Sequence, residues 1–151
     1  MNKKILFYAI IICGLFSGFS ACNSTKKEVK SGDEQAIDTM RLQFNIANVD
    51  TMSVIFPESN DVFVINEKDK TELGKLIALS INDTLWNNSG IMVKMVAPDY
   101  TIVSHYKGQS ADNNSWLMIW KENGRAKFEN KWYFLDEAKK SSIYQILDTY
   151  K

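Results

Sequence analysis

Trp116-Leu117-Met118-Ile119-Trp120-Lys121-Glu122-Asn123-Gly124-Arg125-Ala126 is the stretch on which the fold turns. Successive side chains of a strand point to opposite faces, so Trp116, Met118 and Trp120 share one face and Leu117 and Ile119 the other. Asn123-Gly124 then supplies the left-handed backbone that a tight hairpin needs, and the chain should return antiparallel. The returning strand is expected over residues 126–135, with Trp132 and Phe134 on one face, pairing directly against the Trp116 strand.

Upstream of this hairpin, residues 91–96 and 100–106 read as two strands around Ala97-Pro98-Asp99, followed by a polar loop over 107–114. Val62-Phe63-Val64-Ile65 is apolar throughout and reads as a strand buried on both faces, entered from turn residues 57–61. Leu42, Phe44 and Ile46 alternate with Arg41, Gln43 and Asn45, and residues 51–56 continue the theme as one long or two short strands. Helical spacing appears twice. Leu73, Leu76 and Ile77 share a face behind Asp69-x-x-Glu72, a capping-box pattern, with Gly74 weakening that helix a little. Ile143, Ile146, Leu147 and Tyr150 fall at i, i+3, i+4 and i+7, with Asp136 as a possible cap. The expected class is α+β: an antiparallel sheet of about six strands with two helices on one side, in the order β-β-α-β-β-β-β-α.

The chain has 151 residues, 45% of them hydrophobic, with 18 basic against 18 acidic residues, which suits one domain of ordinary size. Zero formal charge leaves no basic footprint for nucleic acid. Cys13 and Cys22 are too few for a disulfide framework and lack the companions of a zinc site.

Lys3 and Lys4 precede an apolar run over residues 5–19, a positive and then a hydrophobic region of secretory type, too short for a comfortable membrane span. The run ends Phe19-Ser20-Ala21-Cys22, which resembles the lipobox of bacterial lipoproteins. That resemblance implies cleavage before Cys22, lipidation of its sulfur and retention at a membrane by acyl chains. Residues 1–21 are then a signal peptide, 22–39 a polar tether, and 40–151 a single domain. With Cys13 removed and Cys22 acylated, the mature chain offers no thiol to catalysis or metal, and loss of Lys3 and Lys4 brings its net charge to −2. The tether lacks the acidic run that resembles a surface-export signal, so the expected address is the periplasmic side of the outer membrane. The domain's order of elements resembles that of several families of small secreted or lipid-anchored bacterial domains, with no motif that selects one.

Motifs for chemistry are sparse. His105 is the single histidine, and Ser110 or Ser115 from a loop could meet it, with Asp99 or Asp112 orienting it, in a hydrolytic triad. Asp33-Glu34, Asp136-Glu137, Asp61 and Asp83 sit in the tether, at turns or at helix starts, where acids are locally favoured, rather than in a paired-carboxylate pattern. Asp112-Asn113-Asn114-Ser115 lacks the glycine and distal glutamate of a calcium loop, and Lys107-Gly108-Gln109 is a turn and not a phosphate cradle. No cofactor or metal is implied.

The aromatic residues say more. Trp116, Trp120 and Phe134 are expected mainly to pack under the two helices, although a row of rings could also stack on sugars or receive a protein partner. Trp86, in a polar loop with Asn82, Asn87 and Asn88, and Trp132 are the better binding candidates, with Trp120 beside them. Asp38-Thr39-Met40, Asp50-Thr51-Met52 and Asp83-Thr84-Leu85 resemble the Asp-Ser/Thr-apolar acceptor of envelope O-glycosylation, making Thr39, Thr51 and Thr84 candidate acceptors. The leading expectation is a lipid-anchored envelope protein whose domain binds another protein or a polysaccharide without chemistry of its own. The alternatives are an assembly accessory acting by strand addition near Leu42 or Phe44, and a small hydrolase using His105 or a carboxylate pair.

Overall fold

One apolar face of a single antiparallel sheet packs under two helices. The computed structural model describes residues 40–92, 94–110 and 112–151; Cys22, Thr39, the signal sequence and the tether lie outside the described residues. A 3-10 turn (Ile46–Asn48) leads into β1 (Val49–Phe56) and β2 (Asp61–Val64), followed by α1 (Glu67–Ile77), β3 (Ile81–Asn82) and α2 (Thr84–Asn88). Then come β4 (Tyr100–Tyr106), β5 (Ser115–Trp120), β6 (Arg125–Phe128), β7 (Lys131–Phe134) and α3 (Lys140–Asp148). Seven strands form one antiparallel sheet in the order β2-β1-β4-β5-β6-β7-β3. The class is therefore α+β, with seven strands and helices α1–α3 among the described residues against the six strands and two helices that the spacing suggested.

The inner face carries Met52, Val54, Ile102, Leu117, Ile119 and Phe128 against Leu73 and Ile77 of α1 and Ile143 and Leu147 of α3. Each such side chain contributes roughly 1.5–3 kcal/mol on full burial. Gly74 belongs to this packing. A methyl at its position would run into the Ile46 side chain, so the glycine admits the 3-10 turn against α1 instead of merely weakening the helix.

Both helix starts differ from expectation. Asn66, and not Asp69, caps α1: its Oδ1 accepts the Asp69 N–H at 2.9 Å, while Tyr150 Oη accepts the Asn66 N–H at 3.0 Å and ties the cap to the end of the chain. Asp136 caps the turn before α3, its Oδ1 accepting the Ala138 N–H at 3.0 Å, and the helix begins only after Lys139.

Four strand expectations need correction. Residues 42–46 do not form a free edge strand: Leu42 and Phe44 are buried in the core, the Leu42 N–H donates to Ser80 O at 2.9 Å, and Asn45 breaks the run by capping the 3-10 turn. Residues 62–65 are not doubly buried, because β2 is the last strand on its side and Val62 and Val64 face solvent. The described residues of 91–96 are not in a strand; 89–92 and 94–98 lie over the outer sheet face instead of joining the ladder. The stretch 126–135 is two strands, since Glu129 and Asn130 both adopt positive φ (46° and 65°) and turn the chain back. Asn123-Gly124 therefore pairs β5 with β6, and Trp132 lies one strand further out on β7.

Candidate functional site

Helices α1 and α3 cover the Leu117 and Ile119 side, which leaves the tryptophan side of β5 facing away from them. Trp116 is 48% and Phe134 41% exposed, so neither packs under a helix as expected. Cross-strand register sets two rows on this outer face: Trp120–Arg125–Phe134, and Met118–Lys127–Trp132. Over them lie α2 and the segment of residues 89–92 and 94–98, where exposed apolar side chains concentrate, Leu85 and Met92 being 87% and 96% exposed.

Asp83 organises the covering element. Its Oδ1 accepts the Trp86 N–H at 3.0 Å and caps α2, while Oδ2 lies 3.1 Å from Arg125 Nη2. The carboxylate is almost fully buried, and a buried charge is tolerable only when paired in this way. Arg125 in turn has its guanidinium 5.1 Å from the Trp86 ring and 5.0 Å from the Phe134 ring, within cation–π range of both. Asn87 grips β7 at two points: its Oδ1 accepts the Trp132 N–H at 2.8 Å and its Nδ2 donates to Trp132 O at 2.9 Å.

Trp120 is 9% exposed and plays a supporting part. Its Nε1–H donates to Val96 O at 2.9 Å, pinning the crossing segment, and its ring lies 5.0 Å from that of Trp132. Between the segment and the sheet is a cleft of about 400 Å³, whose walls include Trp86, Trp120, Arg125, Trp132, Glu122 and Asn123. A second cavity of about 350 Å³ shares Trp86, Met95 and Trp132 with the first. A third, of about 800 Å³, opens beside Trp116 and Met118. The structure thus brings Trp86 and Trp132, both half-buried, to one cleft and places Trp120 beneath them.

The other candidates disperse. His105 is half-buried on β4 opposite Thr51, and none of its conceivable companions is bonded to its ring. Ser115 Oγ pairs with Tyr106 Oη at 3.0 Å, Asp99 accepts the Lys121 N–H at 2.7 Å, and Ser110 accepts the Asp112 N–H. Among the carboxylates, Asp61 begins β2, Asp83 is the buried partner of Arg125, and Glu137 pairs with Lys140 at 2.7 Å. No cluster of metal-ligating side chains occurs among the described residues. Thr51 is exposed on β1, and Thr84 is exposed as the first residue of α2.

A polar cluster that the sequence did not announce joins the sheet to α3. Tyr100 Oη donates to Asp148 Oδ1 at 2.5 Å, and Lys121 Nζ lies 3.1 Å from Asp148 Oδ2 and 5.4 Å from the Tyr100 and Tyr144 ring centres. Burial, reinforced by Asp148, pushes the Tyr100 phenol up to about 12. For Asp148 burial acts against the charged form, but the Tyr100 and Lys121 donors outweigh it and hold the carboxyl below its usual range. Asp83–Arg125 and Tyr100–Asp148 are long-range pairs with no local signature; only Asp83 ahead of Leu85-Trp86 carries a readable helix-cap signal.

No protein-family model matches this sequence, and neither does any curated protein. Among solved structures, the chain is similar to a "Putative Lipoprotein from Clostridium perfringens", at 10% identity over 78% of this chain and 93% of that one, with a TM-score of 0.49. A likeness of that degree transfers no residue role. No helix among the described residues is long and apolar enough to cross a membrane.

Proposed function

We propose that this chain is a lipid-anchored cell-envelope protein, held through acylated Cys22 at the periplasmic side of the outer membrane, whose domain binds an envelope polysaccharide. The anchor rests on the resemblance of Phe19-Ser20-Ala21-Cys22 to a lipobox after a basic and then apolar leader. The binding reading rests on one observation: Trp86 and Trp132, half-buried, line one cleft together with Glu122, Asn123 and Lys94. Apolar ring surface beside hydrogen-bonding groups is what a sugar requires, since a pyranose has an apolar C–H face and a rim of hydroxyls. The cleft's charges nearly cancel, because Asp83 neutralises Arg125 and Lys94 lines the cleft together with Asp99 and Glu122, and this favours a neutral glycan.

Co-sedimentation of the mature chain, carrying Cys22→Ser, with purified peptidoglycan sacculi tests this. The wild-type domain should pellet with the sacculi, and the Trp86→Ala, Trp132→Ala double variant should stay in the supernatant. Equal pelleting of the two would remove the cleft from the account. The anchor is tested separately: a fatty-acid analogue fed to cells should label the wild type and leave Cys22→Ser unlabelled.

A further inference from the structure

The three cavities of the outer face share walls. Lys127 and Asn130 line both the 800 Å³ cavity and the 350 Å³ one, and Trp86, Met95 and Trp132 line both that one and the 400 Å³ cleft. The cavities thus adjoin in a row from Trp116 to Trp86, with Lys127 between them, its Nζ 3.8 Å from Met95 Sδ and 5.8 Å from the Trp132 ring centre. Trp116 stands at its far end, 48% exposed on a strand whose next residue, Leu117, is 2% exposed in the core. A rigid strand thus holds out a large ring that no packing requirement explains. Around it are Gln109, Asn113 and Asn130, all exposed amides, and Asn130 is fixed in a left-handed turn position.

Register fixes the spacing. Trp132 pairs with Lys127 and Lys127 with Met118, two residues from Trp116 on the same face. Two strand spacings sideways and two residues along put the Trp116 and Trp132 positions roughly 12 Å apart, farther than one pyranose ring reaches. We propose that Trp116 is a second stacking platform, so that the row of cavities takes a polymeric neutral glycan bridging Trp116 and Trp132 and not a single sugar. This rests on the polysaccharide reading of the Trp86–Trp132 cleft and extends it to the length of ligand bound.

The probe is a ladder of N-acetylglucosamine oligomers, from the monosaccharide to the hexasaccharide, titrated calorimetrically into the mature chain carrying Cys22→Ser. Affinity should climb with length until the ligand spans both rings and then level off. In Trp116→Ala the climb should stop earlier, with the longest oligomer bound about tenfold more weakly than by wild type and the shortest bound equally well. Trp116→Phe, which keeps a ring, should recover most of the loss. Trp116 lies outside the core, and an unchanged far-ultraviolet circular dichroism spectrum and urea midpoint check that the variant is folded. If Trp116→Ala binds every length as wild type does, the second platform is wrong and the Trp86–Trp132 cleft stands. If no oligomer binds the wild type, both readings fall.

Discussion

Asp83 is the residue on which the covering element depends, because one buried carboxylate serves as both helix cap and counter-ion. Asp83→Ala should cost about 3 kcal/mol in urea unfolding, combining a lost cap with an uncompensated arginine against aromatic rings. Asp83→Asn, which retains the capping oxygen, should cost less. Equal stability of Asp83→Ala and wild type would show that the ion pair contributes nothing. Gly74 makes a second residue-scale prediction. Gly74→Ala should destabilise by about 1–3 kcal/mol although alanine is the better helix former, and shortening Ile46 to alanine in the same chain should recover part of that loss. In the sequence, Gly74 and Asp83 look like a helix flaw and a turn acid. Their partners, Ile46 and Arg125, lie 28 and 42 positions away by residue number, beyond the reach of any local pattern.

At the scale of elements, the long periodic segments were legible and the connections between them were not. Leu73, Leu76 and Ile77 on α1 and Ile143 and Leu147 on α3 occupy the core as their spacing implied, and β4, β5 and the Asn123-Gly124 turn lie where the alternation put them. The apolar run 91–96 misled because composition alone cannot tell a paired strand from a strap across a sheet. The strap is tied to the sheet by an indole donor, Trp120 Nε1–H to Val96 O at 2.9 Å, beside a longer Lys127 Nζ–Met95 Sδ contact at 3.8 Å. Trp120→Phe keeps most of the ring and removes the donor, so amides at 94–97 should exchange faster at a global cost of only about 1 kcal/mol. Unchanged exchange there would mean that packing and not this bond fixes the strap. Residues 126–135 misled for a different reason: Glu129-Asn130 is a less recognisable turn than Asn-Gly, although both residues adopt positive φ.

For the whole molecule, the Tyr100–Lys121–Asp148 cluster couples sheet to C-terminal helix and gives stability a pH dependence at both ends of the scale. Asp148 has its pKa lowered by folding, so its contribution is present at neutral pH and fades as the pH falls below about 4. Tyr100 is raised to about 12, so its contribution is intact up to the ordinary phenol value near 10 and is lost between there and about 12. Thermal melts across pH should therefore show Tyr100→Phe with a flatter alkaline limb than wild type and Asp148→Asn with a flatter acid limb. Parallel curves would exclude the cluster as their cause.

The whole-molecule assignment of faces was the least legible feature. Alternation told which rings share a side, but which side the helices would cover depends on the complete tertiary arrangement, and they cover Leu117 and Ile119. Of the candidate site, Trp86 was readable as a ring in a polar loop and Trp132 as a ring on a strand beyond the Asn-Gly turn, while the covering role of α2 and the supporting role of Trp120 emerge only in three dimensions.

Glycan recognition by the Trp86–Trp132 cleft is the central claim, and the tryptophan indole N–H resonances report on it directly. In a nitrogen–proton correlation spectrum titrated with soluble peptidoglycan fragments, the Trp86 and Trp132 indole signals should move progressively. The Trp120 signal, bonded to Val96 O beneath them, should move little. Stationary Trp86 and Trp132 signals at saturating ligand would contradict the account.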